Sequence, residues 1–229
     1  MNLLQLSLLE QAIFVSAALI LFVSFSLLAQ RRLVASIHAF AWQGALVAAV
    51  AALVAAASGE NHLYMSAILT FGLKALLIPW MLHRLVRMLE LERHVEQLKR
   101  PALVIMAGAA LVIFSYWVSL PIGRLDMAAT RNIVAISLSV VMLGLLMMVT
   151  RQQAVVQVIG FMSMENGLFL AAVAATHGMP LVVELGIAFD VLVAAVIFGV
   201  FFFHIRENID SLDVDRLNLL TEKEEEESP

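Results

Sequence analysis

Seven long apolar runs, near residues 7–29, 33–57, 62–83, 101–120, 132–150, 154–176 and 180–205, are separated by polar breaks such as QRR, SGENH, RQQ and THGMP. A helix needs about 20 apolar residues to cross the hydrocarbon of a bilayer, so each run is read as a membrane-spanning helix. The longest break, HRLVRMLELERHVEQLKR, carries Leu85, Met88, Leu91, Val95 and Leu98 at near-helical spacing among Arg84, Arg87, Arg93, Lys99 and Arg100. That pattern predicts an amphipathic helix near 84–100, suited equally to an anionic membrane surface and to a cytoplasmic partner. Pro101 then fits the first turn of the fourth span.

Composition agrees. Of 229 residues, 62% are hydrophobic and 14% charged, whereas soluble domains run near one quarter charged. The expectation is an all-α, polytopic membrane bundle, with a first run too long and too poor in basic lead-in to be a signal peptide. There is no cysteine, which excludes disulfides, iron-sulfur clusters, thiolate metal sites and cysteine nucleophiles. Electron chemistry, if any, belongs to a partner. No phosphate loop, nucleophile elbow or HExxH pattern is found either.

Cations set the expected orientation, because Lys and Arg near helix ends are retained on the cytoplasmic side. The breaks after the first, third, fifth and seventh runs hold two, five, one and three cations, against two on the other side, Arg124 and Arg131. The N-terminus is therefore expected outside and the C-terminus inside. Nine of the eighteen acids lie after residue 205, so 206–229 reads as a solvated cytoplasmic tail. No nucleic-acid partner is expected of such a chain.

The candidate chemistry is the set of charges inside the runs. Lys74 lies some twelve residues into the third run, Glu165 eleven into the sixth and Asp190 ten into the seventh. At about 1.5 Å of rise per residue all three reach one depth, roughly 15 to 18 Å from an interface. An ionised group there costs roughly 2.5 to 3.5 kcal/mol on insertion scales, so each demands a partner, water or neutralisation. Desolvation and a neighbouring ammonium push a carboxylate in opposite directions, which suits a group that loads and unloads a proton. A static ion pair that fixes helix register is the plainer alternative. Glu184 reads as the outer end of such a relay or as a snorkelling surface acid.

Neighbouring residues add detail. Gly160, Ser163, Gly167 and Ala171 form a small-residue stripe that admits a close helix, with Glu165 nearly opposite and Asn166 beside it. Pro79 leaves the Ala75 carbonyl, next to Lys74, without its α-helical donor. His38 and His204 are the pair that a haem would need, but His204 sits at the water boundary, so no cofactor is expected.

The runs IGFMSMENGLFLA (159–171), VVELGIAFD (182–190) and FGLKALLIPW (71–80), with SLDVDRLNLL (211–220) behind them, resemble the hydrogenase-4 component E family. These are membrane subunits of formate hydrogenlyase-like complexes. Within that family residues 132–205 are similar to the small K subunit of respiratory complex I and to the C subunit of multisubunit cation/proton antiporters. Complex I's K subunit carries a glutamate in each of its last two helices, and the resemblance maps those roles onto Glu165 and Asp190. It departs at one point: aligning IGLE of the K subunit with IGFM puts Met162 at the glutamate position, three residues before Glu165.

The resemblance implies three regions: 1–131, four N-terminal spans with the amphipathic helix; 132–205, the three K-subunit-like spans; and the tail. It implies a non-redox membrane-arm subunit in the cytoplasmic membrane of a bacterium or archaeon. Its partners would be antiporter-like membrane subunits, a helical anchor subunit and cytoplasmic nickel-iron hydrogenase and iron-sulfur subunits. Lys74, Glu165, Asp190 and Glu184 are the expected proton path, with Asn166, Ser163 and His38 as supporting polar groups. A free-standing ion-coupled transporter and a structural spacer are the rival readings.

Overall fold

A computed structural model describes residues 7–59, 61–88, 101–121, 128–176, 186–197 and 199–200. Helix α1 (Leu8–Ala29) starts on a capping box, in which Ser7 Oγ accepts from the Glu10 amide while the Ser7 amide donates to Glu10 Oε2 at 2.9 Å. Helix α2 (Leu33–Ser58) ends on Gly59, whose φ of 73° closes the helix with its N–H on the Ala55 carbonyl. The third run folds as α3 (Asn61–Thr70), a π-helical segment (Phe71–Leu77) and α4 (Ile78–Met88) in succession. Then come α5 (Pro101–Ser119), α6 (Ala128–Thr150), α7 (Ala154–Thr176) and a shorter apolar helix, α8 (Gly186–Ile197). Among the described residues there is no strand.

Six of these stretches are long and apolar enough to cross a membrane, where sequence reading expected seven. The seventh run is described only over α8 and residues 199–200; the rest of it lies outside the described residues. So do 89–100, Glu184, His204 and the tail. Of the expected amphipathic helix, the part within α4 buries Leu85 and Val86.

Helices crossing hydrocarbon gain little from hydrophobic exclusion and associate by close packing and polar contacts. Both are present. A Cβ at Gly144 of α6 would lie 2.7 Å from the Met164 amide nitrogen and 2.8 Å from the Gly160 carbonyl, so α6 and α7 meet backbone to backbone. Gly167 does the same against Ser137 and Val141. The α1–α2 and α6–α7 pairs pack on each other, α5 covers α1 and α6 on one flank, and α3 with the π segment covers α2 on the other. At one loop, buried Arg151 donates to the Leu28 and Gln30 carbonyls that close α1.

Two apolar clusters fill the interior. One contains Leu27, Phe40, Ile78, Leu82, Met147, Ile159 and Ile197; the other contains Ile20, Val47, Val50, Leu63, Val140, Leu170 and Val173. On α1, α2, α3–α4 and α7 alike, a polar residue separates the part in one cluster from the part in the other: Ser24, Gln43, Lys74, and Ser163 with Glu165 and Asn166. The fold is therefore a bundle with one buried polar layer between two apolar ones.

Candidate functional site

The π segment is where the polar layer is built. Proline has no N–H, and in an α register Pro79 would strip the Ala75 carbonyl of its donor. The chain instead takes a π turn, with the Ile78 N–H donating to the Leu73 carbonyl five residues back. In that register the missing Pro79 donor falls to the carbonyl of Lys74 itself, one residue earlier than the sequence alone indicates. Such π bulges are rare and concentrate at functional positions. Gly44 of α2 makes room for it: a Cβ there would lie 2.8 Å from Lys74 Cβ and 3.0 Å from the Lys74 carbonyl oxygen.

From this turn the Lys74 side chain, 1% exposed, reaches across to α7 and α8. Its ammonium donates to Glu165 Oε2 at 2.5 Å and to Asn166 Oδ1 at 2.9 Å, and stands 3.4 Å from Asp190 Oδ1. The ammonium thus has two hydrogen-bond acceptors and a second carboxylate at ion-pair distance. The Phe169 ring, 5.7 Å away, offers its face to the same cation.

The amides around the ammonium are oriented by it. Lysine can only donate, so Asn166 must turn its oxygen to Lys74 and its nitrogen to Gln43, where Nδ2 donates to Oε1 at 3.1 Å. Gln43 Nε2 is then left to donate to Ser24 Oγ and Ser163 Oγ, both at 2.8 Å. Ser24 finally donates to the Ile20 carbonyl at 2.7 Å. Every donor in this series points away from Lys74, which ties α1, α2, α3–α4 and α7 into one polar network.

Satisfaction is incomplete on the acidic side. Glu165 Oε1 and both carboxylate oxygens of Asp190 are buried without a hydrogen-bond partner among the described residues. One ammonium faces two carboxylates, so the cluster carries a net charge of −1 when all three are ionised. Burial makes that charge expensive, and one added proton removes it.

The structure brings Lys74, Glu165, Asp190, Asn166 and, through Gln43, Ser163 into one network. His38 is elsewhere: its Nδ1 donates to the Val34 carbonyl at 2.8 Å and its ring lies 6.1 Å from that of His83. The small-residue stripe divides, with Gly160 and Gly167 against α6 and Ser163 turned to α2, while Glu165 faces away from α6. Gln43, Ser24 and Gly44 were not anticipated. For Gln43 the signal was present, because it lies ten residues into the second run, at the depth of the three charges.

These features define a polytopic, all-helical membrane protein with a buried charge cluster in its core. The chain is 33% identical to an uncharacterized protein of Mycobacterium tuberculosis over 83% of its own length and 87% of the relative's. It is 26% identical to hydrogenase-4 component E of Escherichia coli K12 over 79% of its length and 84% of that protein's, and matches the Shigella flexneri protein of the same name equally. No family model matches the chain, and no solved structure does. The chain belongs to the hydrogenase-4 component E family.

Proposed function

We propose that this protein is a non-redox membrane-arm subunit of a hydrogenase-4-like complex, related to complex I, in which the Lys74–Glu165–Asp190 cluster takes up and releases one proton. The supporting observation is charge imbalance in a buried place: one ammonium serves two carboxylates in a polar layer between two apolar clusters. A cluster that is neutral with one extra proton and anionic without it is a one-proton store. Lys74 keeps the anionic state from being prohibitive, and the Asn166–Gln43 amides hold the ammonium in place.

In this reading the N-terminus faces outward across a bacterial or archaeal cytoplasmic membrane. The partners are antiporter-like and anchor membrane subunits and cytoplasmic hydrogenase and iron-sulfur subunits. Glu184, just ahead of Gly186 where α8 begins, would carry protons to the outer side. Glu165→Gln, which retains shape and an acceptor for Lys74, is expected to abolish coupled proton translocation by the assembled complex while leaving assembly intact. Unchanged translocation by an assembled variant would overturn the proposal.

A further inference from the structure

Charge is divided unevenly between the two ends of the bundle. The first apolar cluster joins Leu28 at the end of α1, Leu33 at the start of α2, Val86 at the end of α4 and Ile197 at the end of α8, so these termini share one face. On it the exposed Arg31 and Arg32 precede α2, and the exposed Arg84 and Arg87 belong to the last turns of α4. The His38 and His83 rings, 6.1 Å apart, fix the register between the two helices. Arg32 lies six residues before His38 and Arg87 four after His83, so both arginine pairs sit side by side at the same end. Among the described residues the acids are Glu10, Glu165 and Asp190, in the first turn of α1 and in the polar layer, and none lies on this face. Nor does the break 89–100 cancel the arginines, since its Glu90, Glu92 and Glu96 are matched by Arg93, Lys99 and Arg100.

We propose that the acidic segment 206–229 of the same chain docks on this basic face. It holds nine acids against Arg206, Arg216 and Lys223, a net charge of −6 brought to a surface of four arginines. It starts on the correct face, because the seventh apolar run continues from Ile197 to residue 205. Ile197 shares its cluster with Val86, and α4 packs on α2, so both arginine pairs lie within about two helix spacings of that point, roughly 20 Å. From residue 205 to Glu222, where the terminal EKEEEE run begins, is seventeen residues, which even as a coil span roughly 20 to 25 Å. Tethering gives the acids an effective concentration of about millimolar, so exposed ion pairs that are weak one at a time act together. An anionic lipid headgroup meets the same arginines without that advantage. While docked, the segment keeps such headgroups off the face. The docking stands apart from proton storage, since it involves none of Lys74, Glu165 and Asp190.

The chain has no cysteine, so two introduced cysteines carry nitroxide labels without background. The test is pulsed electron–electron double resonance between labels at Ala29→Cys and Ser228→Cys in the full chain, in phosphatidylcholine nanodiscs. A narrow short-distance population is expected at low salt. At about 1 M salt, where the screening length falls to about 3 Å, it should give way to a broad distribution with a mean longer by about 10 Å or more. Glu222→Gln/Glu224→Gln/Glu225→Gln/Glu226→Gln/Glu227→Gln should do the same at low salt while leaving the helices unaltered. Arg31→Gln/Arg32→Gln should reduce the short population about twofold or more. A broad distribution at low salt, or a narrow one that neither salt nor either variant alters, overturns the proposal. Coupling between co-reconstituted chains that each carry one label assigns the segment to a second copy, and complete loss of the short population in discs containing phosphatidylglycerol gives the face to lipid. Either result overturns docking within the chain.

Discussion

Lys74→Met removes the ammonium while nearly preserving the volume of the side chain, so it isolates the charge from the packing. The loss reaches two hydrogen-bond acceptors, Glu165 Oε2 at 2.5 Å and Asn166 Oδ1 at 2.9 Å, and one ion-pair partner, Asp190 Oδ1 at 3.4 Å. Two carboxylates are then left in the apolar interior with no opposite charge in contact among the described residues. Breaking a buried ion pair by removing one partner costs about 3 to 5 kcal/mol, because the remaining charge is uncompensated. Glu165→Gln should cost less, about 1 to 3 kcal/mol, since Lys74 retains Asp190 and Asn166 and the new amide oxygen can still accept. The double variant Lys74→Met/Glu165→Gln should recover part of the lysine loss, giving a coupling of more than about 1 kcal/mol in the double-mutant cycle. Reversible unfolding of the chain in mixed micelles, followed by circular dichroism, measures all three. A lysine variant within about 0.5 kcal/mol of wild type, a range ordinary for uncritical surface changes, would refute the idea that the cluster is a bonded unit.

Other positions give independent checks. Gly44→Ala places a methyl 2.8 Å from Lys74 Cβ and 3.0 Å from the Lys74 backbone, and should destabilise by about 1 to 3 kcal/mol, read in the same unfolding assay. Gly144→Ala meets the backbone of α7 at 2.7 Å, which cannot rotate away, so cysteine pairs introduced across α6 and α7 should cross-link less efficiently in this cysteine-free chain. Arg151→Gln withdraws the guanidinium from the Leu28 and Gln30 carbonyls and should cost about 1.5 to 3 kcal/mol, with faster amide exchange at the end of α1. Gln43→Leu leaves Asn166 Nδ2 without its acceptor and should cost about 1 to 3 kcal/mol, whereas Gln43→Glu retains an acceptor but adds charge.

Much of this architecture was legible because the bilayer imposes simple rules. Run length alone marked out the six described spans, since a chain in hydrocarbon must satisfy its backbone within helices. Depth counted along three separate runs put Lys74, Glu165 and Asp190 on one level, where the structure has them in contact. What escaped were features set by register. The π turn shifts the donor deficit from Ala75 to Lys74, and one residue of slip in a helix rotates every later side chain by about 100°. Gln43 was passed over because an amide carries no charge, although a buried amide without partners is costly as well. The split of the small-residue stripe between α6 and α2 depends on which helices neighbour α7, and periodicity along one helix carries no such information.

The proposed function requires that Lys74, Glu165 and Asp190 together hold one exchangeable proton. Infrared difference spectroscopy of the membrane-embedded chain across a pH titration tests it most directly, through the C=O stretch of a protonated carboxylic acid. One carboxylic acid per chain is expected to gain and lose its proton, with the band altered in Glu165→Gln and Asp190→Asn and shifted in its titration by Lys74→Met. A buried-acid band that neither variant of the two carboxylates changes, or no such band at any pH, would contradict it.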